Sequence, residues 1–305
     1  MSYSEYMNRT TLKSSSFHGP TLARLFSTTV IKELAATGRS SMAAAILREA
    51  AFVHVLDPAI PLREFFDQVY ALMFRSYRNE YIYKNVIAQK ILLGVHSLTT
   101  TCMLTEFRAG NCKADTVLLN GTSTVYEIKS AYDSMERLSR QVAAYRQVFD
   151  KINVITSASQ AEKVARAVGE DIGLLVLTDR NTIRTVRVPV SLKHAAQPAV
   201  IFDSLRSSEY EQIVKTHFGA VPNVSNARMY QACREHFCSL SPEAAHDSMV
   251  KVLKKRGNSR RLHEFITAVP PSLKALSLYC RLGCAEQERF VDALNADIGD
   301  CLALT

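Results

Sequence analysis

The stretch Lys113–Tyr145, KADTVLLNGTSTVYEIKSAYDSMERLSRQVAAY, decides how the rest of the chain is read. Two runs of strand-forming residues, Lys113–Leu119 and Thr124–Lys129, are separated by the turn signal Asn120-Gly121-Thr122 and followed by a helical run. A three-residue loop at Asn120–Thr122 pairs Leu119 with Ser123, and the same register sets Asp115 across from Glu127 on one face of the hairpin. A two-residue Asn-Gly loop would instead pair Asp115 with Tyr126 and send the two carboxylates to opposite faces. Lys129, two residues beyond Glu127, shares its face. Carboxylates this close repel one another unless a divalent cation lies between them. The competing reading is a pair of charged residues at an exposed sheet edge, and the strands ADTVLL and VYEIK are too apolar for that.

Paired carboxylates beside a lysine suit metal-assisted phosphodiester hydrolysis, in which acidic oxygens hold Mg²⁺ or Mn²⁺ and the amine orients or activates the attacking water. The helix that follows is expected to start at Asp133, with Glu136 at capping-box spacing, and to run to about Phe149. On it Arg137, Gln141 and Tyr145 are four apart and form one row, able to hold phosphates and to position the helix.

Working outward, Cys102–Phe107 reads as a strand before this hairpin, and Tyr77–Gly94 as a helix before that. Glu80 and Lys84 stand one turn apart on this helix, and an exposed ion pair is the alternative to a role at the site. Downstream, Ile152–Ile155, a helix Ser159–Val168, Ile172–Leu177 and Thr182–Val188 complete an α-β-β-β-α-β-α-β-β order, which predicts a sheet covered on both faces. Residues 1–19 read as a loose arm. Two helices around TGRS, the second capped by Ser40 or Ser41, are either a helix-turn-helix reader of DNA or a packing module, and Leu62–Phe74 is a further helix. After a boundary at His194–Pro198, the chain reads as helical to the end.

Asp115, then Glu127-Ile-Lys129, then Gln141-Val-Ala-Ala-Tyr145 resembles the PD-(D/E)XK nuclease superfamily, in particular its RecB and lambda-exonuclease branch with a QxxxY helix. YRNEYIYKN, from Tyr77, is similar to an uncharacterised bacterial group with this core between helical flanks. The resemblance implies an α/β, restriction-endonuclease-like α-β-β-β-α-β core with a mixed sheet over residues 75–192, with helical regions at 1–74 and 193–305. It implies a Mg²⁺- or Mn²⁺-dependent nuclease acting on DNA in repair, recombination or defence, with Asp115, Glu127 and Lys129 catalytic. Glu80, Asp115, Glu127 and the Ile128 carbonyl would hold metal, and Lys84, Arg137, Gln141 and Tyr145 would contact nucleic acid or support the site. Lys113-Ala114 stands where the family often has proline, and some proteins of this fold have lost cleavage and bind nucleic acid or partners instead.

Composition agrees with an anionic partner: 37 Lys and Arg against 29 Asp and Glu give a formal charge of +8. The helical regions could also serve a protein partner or a homo-oligomer. Seven irregularly spaced cysteines without a secretory signal fit reduced thiols in a cytoplasm, and no apolar run reaches the roughly 20 residues of a membrane helix. Cys233, His236, Cys238, Cys280 and Cys284 match no common zinc spacing and read as packing residues. The acid-free basic run Lys251, Lys254, Lys255, Arg256, Arg260, Arg261 is equally a DNA-tracking face or a solvated helix end. No P-loop, G-x-S-x-G or H-E-x-x-H occurs.

Overall fold

A computed structural model of the 305-residue chain describes residues 18–52, 56–95, 98, 100–256 and 260–302. Most of the arm expected at residues 1–19 therefore lies outside the described residues, as does the side chain of Arg260. The chain is mixed α/β and folds as two compact units: residues 1–89 with 260–305, and residues 90–259. The expected boundaries at 74/75 and 192/193 both fall inside a unit.

Side-chain caps on backbone groups distant in sequence explain why the two chain ends share one unit. Asn85 accepts from the Ala275 amide (2.9 Å) and donates to the Pro271 carbonyl (3.0 Å). Asp67 accepts from the Ser272 amide (3.0 Å), and the Tyr81 hydroxyl donates to the Ser272 carbonyl (2.6 Å). Each bond satisfies a group that burial would otherwise leave costly. Around them Phe26 stacks on Tyr81 at 4.8 Å, with Phe66 and Tyr70 edge-on to Phe26. Of the helix pair about TGRS, the run expected from Thr21 is broken into Gly19–Ala23 and Thr28–Thr37, with Gly38 at φ 75° ending it, and the second helix is Ser41–Glu49, capped by the Ser40 hydroxyl. Val30, Ile31, Leu34, Ile46 and Leu47 are all buried, as a packing module requires.

The other unit is built on a six-stranded mixed sheet whose spatial order follows the chain: β1 Cys102–Ala109, β2 Cys112–Leu119, β3 Ser123–Lys129, β4 Lys151–Ser157, β5 Gly173–Leu177 and β6 Ile183–Arg187. β1, β2 and β3 are antiparallel, β3, β4 and β5 parallel, and β6 antiparallel to β5. Parallel neighbours need a crossover, and the helices Leu138–Arg146 and Ala161–Ala167 supply the two. Val117, Leu119, Val125, Ile152, Val154 and Leu174 share one core with Leu138, Val142 and Tyr145 of the first crossover helix. Helices Pro198–Asp203, Ser207–Phe218, Asn226–Cys238 and Pro242–Lys254 add Phe202, Ile213, Phe237 and Met249 to the same core. The segments after His194 up to Lys254 are thus part of the sheet unit, because their apolar faces close its core.

Three local expectations are corrected. Asp133 does not start a helix: its carboxylate accepts from the Ser130 amide (2.8 Å) and hydroxyl (2.6 Å) in a turn, and the helix begins at Leu138 and ends at Arg146. The helix expected over Tyr77–Gly94 is α-helical at Glu80–Val86 and passes into a π-helix at Ile87–Leu92, within which one unit gives way to the other. The alternative of an exposed ion pair holds only for Glu80, because Lys84 is buried. No described helix is long and apolar enough to cross a membrane.

Gly173 illustrates how tightly β4 and β5 are matched. It pairs with Asn153, and a Cβ there would lie 2.1 Å from Asn153 Oδ1 and 2.8 Å from Pro189 Cδ. Gly173→Ala is expected to cost about 1–3 kcal/mol by overpacking, read as a lower urea midpoint at unchanged slope.

Candidate active site

The hairpin that carries the site has the register of the three-residue loop. Leu119 pairs with Ser123 and Thr116 with Tyr126, and Gly121 turns the chain at φ 70°. Regular pairing stops at Thr116, and the next residue, Asp115, bonds through its side chain: Oδ2 accepts from the Ile128 amide at 2.8 Å. This fixes the Asp115 carboxylate against β3, beside the Glu127–Lys129 segment.

Glu127 is 1% exposed and Lys129 6%. The Lys129 ammonium lies 3.6 Å from Glu127 Oε1 and donates to Gln141 Oε1 at 2.9 Å. Gln141 Nε2 donates to Glu127 Oε1, and the Tyr145 hydroxyl lies 2.7 Å from both Glu127 Oε2 and the Lys113 carbonyl. Gln141 and Tyr145 are one turn apart on the helix Leu138–Arg146, so both reach the same carboxylate. Burial pushes the Glu127 carboxyl above its usual range, while bonds from Tyr145, Lys129 and Gln141 oppose the rise. Burial, and then the charge of Glu127, hold the Tyr145 phenol far above its ordinary value, so it remains a donor.

The structure therefore brings Asp115, Glu127, Ile128, Lys129, Gln141 and Tyr145 together. Tyr145 is fully buried and supports Glu127 instead of facing a nucleic acid, whereas Arg137 is exposed at the N-cap. Ile128 contributes its amide to Asp115. Glu80 and Lys84 belong to the other unit, where they form an i,i+4 ion pair of 2.5 Å.

Glu106 is the acidic residue that the sequence reading missed. β1 pairs Thr105 with Thr116 and Phe107 with Ala114, so Glu106 and Asp115 drop out of regular pairing, and Glu106 takes the left-handed φ of 52°. The register is the same on either side, so no residue is inserted, and oxygens of Glu106 and Asp115 lie within 4.8 Å of each other. Glu127 does not join them in a three-carboxylate cluster at that spacing. A positive φ at glutamate has no sequence signal, so this break in the pairing was not legible. Hard carboxylate oxygens of this kind fit Mg²⁺ or Mn²⁺ and not a soft metal. Among the cysteines weighed above for zinc, Cys233 is buried against Met229 and Cys238 is exposed.

A second polar network crosses the start of β3. Ser123 Oγ is 2.8 Å from His246 Nε2, and His246 Nδ1 is 3.0 Å from Asp247 Oδ1. The order resembles a nucleophile relay, yet Ser123 and His246 have no exposure and the Ser123 hydroxyl also accepts from the Asp150 amide. It anchors the turn to the helix Pro242–Lys254 and presents nothing to a substrate. Burial holds the His246 imidazole below its ordinary value of 6.5, against the pull of Asp247. A depressed histidine contributes stability above the unfolded value, which is lost as pH falls toward the folded one. Thermal melts are thus expected to decline on acidification from about pH 6.5, and His246→Asn should remove that part of the pH dependence.

Comparison with known proteins places the chain. Protein cII of Enterobacteria phage P4 is 29% identical over 70 residues, which cover 23% of this chain and 26% of the relative, so the match spans about a quarter of that protein. A solved structure, the SPO1766 protein of unknown function from Silicibacter pomeroyi, is similar over 39% of this chain and 82% of that one, at 18% identity and a TM-score of 0.27. The family model for bacteriophage P4 protein cII matches residues 73–277, which include the whole six-stranded sheet, and the chain accordingly belongs to the bacteriophage P4 protein cII family.

Proposed function

We propose that this protein is a Mg²⁺- or Mn²⁺-dependent nuclease that hydrolyses phosphodiester bonds of DNA on a restriction-endonuclease-like core. The observation that carries the reading is the set formed by Asp115, Glu127 and Lys129, with the Lys129 ammonium held between Glu127 and Gln141. The order of helix, three antiparallel strands, crossover helix and parallel fourth strand supports it as well. Asp115, with Glu127 or Glu106 beside it, would hold the cation. When bound, the cation polarises the scissile phosphate and lowers the pKa of an attacking water. Lys129 supplies a fixed positive charge where negative charge develops on phosphorus, and the Gln141 carbonyl keeps it there without a flexible search. Gln141 and Tyr145 are positioning residues, fixing both oxygens of Glu127.

One observation favours a second reading, a catalytically silent DNA-binding or adaptor protein: both oxygens of Glu127 already have protein partners. Calorimetric titration separates the two. The nuclease reading expects Mn²⁺ binding in the micromolar to millimolar range that Asp115→Ala removes. An absence of binding at millimolar Mn²⁺ favours the silent protein.

A further inference from the structure

Strand residues alternate between faces, so the residues next to the site residues point through the sheet to its other side. Asp115, Val117 and Glu127 share the face of the crossover helix, and Leu118, Thr124 and Tyr126 the opposite one. On that opposite face is a cavity of about 590 Å³. Its lining includes Tyr126, Leu175, Thr124 and Asn153, with Lys90 and Lys151. None of the lining residues is acidic.

Three features point to a ligand. The volume is that of a small-molecule pocket and exceeds what a few waters fill. The two lysines have no carboxylate among the lining residues, so the cavity favours an anion. Asn153 is 3% exposed and Tyr126 8%, so an amide and a phenol lie in the wall of a space open to solvent. Flat apolar and phenolic surface beside hydroxyls, an amide and two ammonium groups matches a planar heterocycle joined to a phosphate.

We infer that this cavity binds a nucleoside monophosphate, its phosphate held by Lys90 and Lys151 and its base lying along Tyr126 and Leu175. The site is separate from the carboxylate site, because β2 and β3 present it on the other face of the sheet, and it needs no metal.

The test is calorimetric titration of the full-length protein with AMP and with GMP, in EDTA, with adenosine and inorganic phosphate as partial ligands. One of the nucleotides is expected to bind saturably, at least about tenfold tighter than adenosine or phosphate alone. Lys151→Ala and Lys90→Ala, both at accessible positions, should each weaken binding about tenfold with melting temperatures unchanged. Asp115→Ala should bind the nucleotide as the unaltered protein does, and this holds whether or not the protein cleaves DNA. No saturable heat up to about 5 mM nucleotide, or binding indifferent to both lysine substitutions, overturns the inference. Loss of binding in Asp115→Ala overturns it too, since the nucleotide would then occupy the carboxylate site. Tighter binding of a short oligonucleotide than of either mononucleotide, sensitive to the same lysines, would make the cavity part of a strand-binding surface and likewise overturn it.

Discussion

Asp115→Ala is expected to lower metal-dependent cleavage at least about a thousandfold while leaving the protein folded. The two halves of that expectation have separate origins. The carboxylate is only half-buried and accepts from the Ile128 amide at 2.8 Å, and losing that bond costs about 1 kcal/mol. In chemistry it is irreplaceable on this account, because it stands between Glu106 and the Glu127–Lys129 segment, and a cation held there loses its central ligand. Cleavage followed on labelled DNA, with a urea titration of the same preparation, reads both. DNA binding should largely persist, since it draws on the phosphate-facing charge of the whole surface.

Glu127→Ala is expected to behave differently, losing activity and about 3–5 kcal/mol of stability together. The reason is what remains behind. Lys129 would stay buried without its counter-charge, and Gln141 and Tyr145 would lose the carboxylate that both now serve. Glu127→Gln keeps the shape and much of the hydrogen bonding, so it should recover most of the stability and none of the cleavage. The contrast between the two variants separates the structural contribution of Glu127 from its chemical one. Equal stability of the alanine variant and the parent would show that the network does not hold the helix Leu138–Arg146 against the sheet.

Much of this centre was legible because its determinants are local. The loop Asn120–Thr122 sets the hairpin register by its length, and Gln141 and Tyr145 meet on one carboxylate because they are one helical turn apart. What stayed hidden depends on tertiary competition. Asp133 has the sequence of a helix start, but Ser130 captured its carboxylate. Glu106 enters the site at a positive φ that no residue type announces. The grouping of the chain ends rests on Asn85, Asp67 and Tyr81 capping the segment Pro271–Ala275, close to two hundred residues away. Lys84 is buried although its partner Glu80 is exposed, a difference that the spacing of the pair could not give.

The central claim is tested most directly by incubating the purified protein with single-stranded, duplex and branched DNA in Mg²⁺ or Mn²⁺, beside an EDTA control and the Asp115→Ala protein. The account predicts cleavage of at least one substrate that requires the cation and disappears in the variant. No cleavage of any substrate by a folded preparation, or cleavage that Asp115→Ala leaves undiminished, would contradict it.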